Sequence, residues 1–321
     1  MNNNLKIYSA FYIGSLLERK KIDPINILEY FLSNYKKANK NVKLSFSKVL
    51  EKQAYKEAEL SWKRQKNNKR LSFFDGIPIV WKDLIDIEGS PAYAGSKLLE
   101  KLRKKDKVYN ASVVKIAKKN GLISLAKTST VEFAFGGLGL NKSCKLPHNL
   151  MFDQIAHAPG GSSTGAATSI FSGLAPLSVG TDTAGSIRIP AAWHSLVGFK
   201  PSRGKIPMNG VVPLSRSYDT LGIIGKNVRD AKILFNILSY NNNNNDLDFF
   251  NKIKIGFVYD FNFEKLDNYS KGKIELLISN ISKLGIKVEN IKVPELKEIN
   301  DYFSSHGPVV NYEAWKYWKR F

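Results

Sequence analysis

Three short apolar runs, each closed by turn residues and separated by helix-forming sequence, limit what this chain can become. In GIPIVWKDLIDIEG, Gly76 and Pro78 punctuate a run that ends at Lys82-Asp83, the pattern of a buried strand entering a loop. LISLAKT follows ASVVKIAKKNG, an amphipathic stretch closed by Gly121, and LAPLSVGTD is a third run ending in a turn. Continuous apolar runs of this length read as strands covered on both faces. Helices interleave with them. Asp23-Pro24 is a helix start with Asp as N-cap and Pro in the first turn, and the next residues carry an apolar stripe at Ile25, Leu28, Phe31, Leu32 and Tyr35. LEKQAYKEAELSWKRQ is a further amphipathic helix. The alternation predicts an α/β layer fold around a largely buried sheet.

The remaining stretches add elements to this frame. IYSAFYIGSLLERKK reads as an amphipathic first helix: no basic flank precedes its apolar segment and no small-residue cleavage site follows. The run YNNNNNDLD offers no core-forming side chains, which predicts a surface loop at 241–245. Beyond it, KIKIGFVYD, KGKIELLISNISKLG and IKVENIKVPEL spell strand, helix, strand, one βαβ unit. HGPVVNYEAWKYWKRF reads as a helix still in progress, with an aromatic stripe of Tyr312, Trp315, Trp318 and Phe321.

Composition excludes several function classes. No run approaches the roughly 18 apolar residues of a membrane span. One cysteine, Cys144, precludes an internal disulfide and fits a reducing, cytoplasmic setting. The four histidines form no zinc spacing, so no metal or cofactor is expected. The formal charge of +21 invites a nucleic-acid reading, but the lysines are dispersed over many helix faces, as a solvated surface requires.

HAPGGSSTGAATSIFSG is the richest stretch for chemistry. Small residues contribute little burial but let backbones or ligands approach closely. A phosphate loop fails because Ala166, not lysine, follows Gly165, and a dinucleotide fingerprint fails because Gly160 and Gly161 are adjacent. Gly161-Ser162-Ser163-Thr164-Gly165 matches the G-x-S-x-G nucleophile elbow, yet no strand precedes it. In VGTDTAGSIRIPAAW, Ser186 falls on a tight turn before a helix that has Pro190 at its start. Consecutive N–H groups of Thr183, Ala184, Gly185 and Ser186 can there converge on one developing oxyanion. A serine nucleophile needs a base. His194 reads as a packed helix residue. Lys82, in an otherwise apolar strand end, can serve if burial leaves it neutral, although a solvent-facing lysine is the plainer reading of that position alone.

Together GIPIVWKDLIDIEG, APGGSSTGAATSIFSG, VGTDTAGSIRIPAA and LVGFKPSRGKIP resemble the amidase signature family of amide hydrolases, from about Leu5 onward and most specifically over Pro159–Pro207. The resemblance implies a three-layer α/β/α fold with a mixed, twisted central sheet, and a Ser–cis-Ser–Lys triad. Its positions here are Ser186 as nucleophile, Ser162 after a cis peptide bond as proton bridge, and Lys82 as base. Thr183, Ala184 and Gly185 match the oxyanion loop, and Ser163, Phe135 and Gly136 are taken with the substrate-binding residues. Ser163 is expected to hydrogen-bond Lys82, whereas Arg188 and Asp182 order the loop. Thr164 and Ala184 depart from the commoner family residues without removing a backbone donor.

The implied function is hydrolysis of a carboxylic amide through an acyl-enzyme, with a small-molecule amide as partner, no membrane, and a homodimer left open. Nucleic acid enters only indirectly, through the alternative that the chain is the glutaminase component of a tRNA amidotransferase. Ile189, where those glutaminases carry glutamine in a SIRQP version, favours a stand-alone amidase. Family members run well beyond 321 residues, so the expectation is one amidase-signature domain, 1–321, that is C-terminally truncated. A chain of that kind is expected to be weakly active or inactive.

Overall fold

The computed structural model describes residues 9–152, 155–239, 253–258, 265–306 and 308–319. The chain forms two compact units, Met1–Asn242 with Tyr317–Phe321, and Asn243–Lys316. The asparagine run at 241–245, the residues before Ser9, and Phe321 of the aromatic stripe lie outside the described residues.

In the first unit the apolar runs are strands: β1 (Phe46–Val49), β2 (Pro78–Lys82), β3 (Ile123–Thr128), β4 (Leu177–Asp182), β5 (Val197–Phe199) and β6 (Thr220–Gly225). They make one mixed sheet in the order β1-β3-β2-β4-β6-β5. β2 lies parallel to both β3 and β4, while β1, β5 and β6 join antiparallel. The pairing of β2 with β3 shifts register once. Pro78 and Ile79 oppose Ile123 and Ser124, but Val80 opposes Ala126, which brings Trp81 opposite Lys127 and Lys82 opposite Thr128.

Every residue of β2, β3, β4 and β6 is buried, so both faces of the sheet are covered. The amphipathic stretches supply that cover. In the helix Pro24–Lys37, the Asp23 side chain accepts from Asn26 N, and Ile27, Leu28, Phe31 and Leu32 are buried. The helix Ser112–Lys119 buries Val113, Val114 and Ala117, and Gly121 follows it at φ +85°. The small-residue segment becomes the helix Thr164–Phe171, buried at every position from Thr164 to Ile170. Its lack of bulk lets it pack against β2, β3, β4 and β6. The architecture is the mixed α/β class that the alternation predicts.

The second unit holds the expected βαβ. β7 (Lys254–Val258) and β8 (Lys287–Ile291) pair in parallel, joined through the helix Asn268–Lys283, which Asp267 caps by accepting from Ser270 N at 2.9 Å. Among the described residues no helix is long and apolar enough to cross a membrane.

Candidate active site

β2 and β4 run side by side and in parallel, so their carboxyl ends open together, where α/β sheets commonly place their ligands. Lys82 ends β2 and is fully buried; Thr181 and Asp182 end β4. The Lys82 Nζ donates to Ser162 Oγ at 2.7 Å and to Thr181 Oγ1 at 2.8 Å. The plainer reading of Lys82, a solvent-facing strand end, is therefore wrong. Burial pulls its pKa from the ordinary 10.5 down to about 7, against the opposing pull of Asp219 and Asp182.

A second buried lysine gives the contrast. Lys127 on β3 lies 2.7 Å from Asp83 Oδ1 and also donates to the Pro91 carbonyl at 2.8 Å. Burial pushes Asp83 upward and Lys127 downward, each opposed by the other's charge. Lys127 thus has a carboxylate at contact distance, whereas the groups that hold the Lys82 amine are the hydroxyls of Ser162 and Thr181. With its pKa at about 7, the Lys82 amine can exist without its proton near neutral pH.

Ser162 reaches Lys82 because its loop is pressed between two other backbone segments. The Gly161–Ser162 peptide bond is cis. Gly161 N donates to Gly137 O at 2.7 Å, and Ser162 O accepts from Thr130 Oγ1 at 2.9 Å and Val131 N at 3.2 Å. A Cβ on Gly161 would fall 2.9 Å from both Gly139 N and Val131 Cγ2, so only glycine fits there. This explains the paired glycines: they admit neighbouring backbone.

Ser186 lies on the turn between β4 and the helix Arg188–Ala192, in which Pro190 occupies the third position rather than the first. Its carbonyl accepts from Ser163 N at 3.2 Å, which ties the two serine segments together. Ser186 is 9% exposed, and its hydroxyl makes no hydrogen bond among the described residues. Asp182 shapes this turn. Its buried carboxylate accepts from Gly185 N at 2.7 Å, Ile187 N at 3.1 Å, and Arg188 Nε and Nη2 at 3.0 and 2.9 Å. Burial raises its pKa, but the Arg188 guanidinium and these N–H groups outweigh that and hold it below the usual carboxylate range. Gly185 sits at φ +116°, a value that folds the turn over the carboxylate.

Two expectations need correction. Ser163 does not bond Lys82: its hydroxyl donates to the Thr181 carbonyl at 3.2 Å, and the second partner of Lys82 is the Thr181 hydroxyl. The N–H of Gly185 is taken by Asp182, which leaves Thr183, Ala184 and Ser186 as the turn's donors without a partner among the described residues. Phe135 and Gly136 donate within their own turn, to Glu132 O at 3.0 Å and Ala134 O at 3.2 Å; the next residue, Gly137, is the one that holds Gly161. Sequence reasoning does not reach Asp219. It is 5% exposed and accepts from Thr183 Oγ1 at 2.5 Å, Leu214 N at 2.8 Å and Ser215 N at 3.0 Å. Burial pushes its pKa up, opposed by the bonds from Thr183, Ser215 and Leu214. Thr181 carries a faint signal, a hydroxyl in an apolar strand; Asp219, 33 positions after Ser186, carries none. Among the described residues no group of three His, Cys, Asp or Glu side chains could hold a metal ion.

Comparison with known proteins gives the family of the chain. Residues 26–316 match the family model described as Amidase. The 2-amino-5-chloromuconic acid deaminase of Comamonas testosteroni is 33% identical over 235 residues, covering 72% of this chain and 50% of its own length. The A subunit of the glutamyl-tRNA(Gln) amidotransferase of Lactococcus lactis subsp. cremoris (strain SK11) is 34% identical over 299 residues, 89% of this chain and 60% of its own. The chain thus spans between half and three fifths of these relatives. Among solved structures, an amidase crystal structure superposes with a TM-score of 0.82 at 29% identity, over 96% of this chain and 68% of that one. The native peptide amidase of Stenotrophomonas maltophilia shares the fold, with a TM-score of 0.79 at 22% identity over 90% of this chain and 63% of its own.

Proposed function

Since the chain belongs to the amidase family, we propose that it hydrolyses the C–N bond of a carboxylic amide with Ser186 as nucleophile, Ser162 as proton bridge and Lys82 as base. The Ser186 Oγ attacks the carbonyl carbon while its proton passes to Ser162 Oγ, whose own proton passes to the neutral Lys82 Nζ. The oxyanion lies against the N–H groups of Thr183, Ala184 and Ser186. When the intermediate collapses, the C–N bond breaks and the proton returns through Ser162 to the departing amine. Water then cleaves the acyl-enzyme by the same path in reverse.

The observation that carries this reading is the pairing of a fully buried lysine, its pKa brought to about 7, with Ser162 at 2.7 Å. The sign follows: Lys82 must be unprotonated to accept a proton, so activity rises as pH passes upward through about 7. A second reading, the ammonia-supplying component of a tRNA amidotransferase, is supported by the 34% identity to such a protein. Ile189 stands where the resemblance implies glutamine in those proteins, which favours the stand-alone hydrolase.

The test is fluorophosphonate labelling of the 321-residue chain across pH. Capture at Ser186 that rises through neutrality and disappears in Ser186→Ala is expected. Absence of capture, or capture that persists in Ser186→Ala, overturns the assignment. Co-purification with a tRNA-binding partner protein would turn the choice toward the amidotransferase.

A further inference from the structure

The segment after β5 returns to the carboxyl end of β2. Val212 N donates to Leu84 O at 2.8 Å, Asp86 N donates to Gly210 O at 2.9 Å, and Ile85 bridges Val211. This strap walls a cavity of about 680 Å³ that also takes in Asp219, Arg203 and Arg216. Asp219 joins the cavity to the nucleophile's turn, because the Thr183 hydroxyl donates to its Oδ1.

The chain uses arginine sparingly, nine against forty lysines. Of the eight described arginines, four have side-chain nitrogens bonded within the chain. Arg64 grips Asp75 with two nitrogens at 2.7 Å each, Arg103 grips Asp86 at 3.3 and 3.2 Å, and Arg188 grips Asp182 at 3.0 and 2.9 Å. Arg70 holds the carbonyls of Phe73 and Asp75 at 2.8 and 3.1 Å. Arg19, Arg203, Arg216 and Arg229 have no such bonds among the described residues, and of these four Arg203 and Arg216 line the cavity. Both are exposed, both line the cavity, and neither has an ion pair or hydrogen bond among the described residues. The Arg216 guanidinium carbon lies 5.6 Å from the Tyr317 ring centre, within cation–π range. Asp219, the only carboxylate among the cavity's described lining residues, does not satisfy them: its oxygens already accept from Thr183, Leu214 and Ser215.

We infer that this cavity selects amides bearing a second, ionised carboxylate, held by the open forks of Arg203 and Arg216 while the amide lies at Ser186. The inference rests on the amide-hydrolase reading and names its substrate class. A guanidinium fork matches a carboxylate in geometry as well as charge, which a lysine ammonium does not.

Matched probes test it. Ammonia release from succinamate, glutaramate and adipamate is compared with that from butanamide, pentanamide and hexanamide on the 321-residue chain. At one or more chain lengths the acid is preferred in kcat/KM by roughly 10- to 100-fold, the range of a charge-assisted contact. Arg216→Met and Arg203→Met each reduce that ratio at least several-fold, and Arg216→Glu turns the preference toward 4-aminobutanamide. Calorimetric binding of the same probes to Ser186→Ala reads the preference without turnover. Equal affinity for acid and neutral probes at every length, or an unchanged ratio in both methionine variants, overturns the inference even where Ser186-dependent hydrolysis persists. Hydrolysis independent of Ser186 overturns the amide-hydrolase reading instead.

Discussion

Replacing Lys82 by methionine should change the sign of its effect on stability with pH. In the folded chain the Lys82 ammonium titrates at about 7, against 10.5 for an unburied lysine. At pH 6 both folded and unfolded states hold the proton, so the fold carries the full cost of the buried charge, about 5 kcal/mol. Methionine has similar volume and no charge, so it removes that cost. It also removes the bonds to Ser162 and Thr181 and leaves buried hydroxyls without a partner, which costs about 2–4 kcal/mol. Lys82→Met should therefore be more stable than the native chain at pH 6, by about 1–3 kcal/mol. Between 7 and 10.5 the unfolded state binds one more proton than the folded state, so native stability gains roughly 1.4 kcal/mol per pH unit from this residue. The variant lacks that gain and becomes the less stable protein near pH 9. Urea unfolding of both proteins from pH 6 to 9, followed by tryptophan fluorescence, measures the difference directly. A difference that stays flat across this range would mean that Lys82 keeps its proton in the folded chain, and the proposed base would be lost with it.

Further outcomes follow from the same contacts. Thr181→Val deletes an acceptor that favours the ammonium form, so the midpoint of the pH dependence of fluorophosphonate labelling should move down by roughly one unit; an upward shift would contradict the assignment. Asp83→Asn takes from the Lys127 ammonium, 1% exposed, the carboxylate it contacts, and should lower urea stability at pH 7 by about 3–5 kcal/mol. That loss should shrink as pH rises and Lys127 sheds its proton.

What could be read in the sequence and what could not divide along physical lines. Strands buried on both faces declare themselves as unbroken apolar runs, so β2, β3 and β4 were legible, as were the helix starting at Asp23 and the βαβ unit. Lys82 was legible because a cation inside such a run is an anomaly, and the serine segments because so many small residues together bury too little to be core. The partners of Lys82 and Asp182 were harder. Ser163 and Thr181 are both small hydroxyl residues, and which one meets Lys82 depends on where each side chain points from its own backbone. Gly185 looked like a free donor because its neighbour Asp182 could not be seen folding back over the turn. Asp219 comes from another strand's approach, 36 positions from Thr183, and only the completed sheet brings it there.

The single register shift between β2 and β3 has a consequence for charge. Had the pairing of Pro78 with Ile123 continued unbroken, Lys82 would have faced Lys127 across adjacent parallel strands, and two ammonium groups would have shared one side of the sheet. The extra residue in β3 turns Lys127 to the side of Trp81 and Asp83, where it finds its counter-ion, and leaves Lys82 opposite Thr128. One inserted residue thus sorts the two lysines into separate compartments, one where the amine meets a carboxylate and one where hydroxyls hold it.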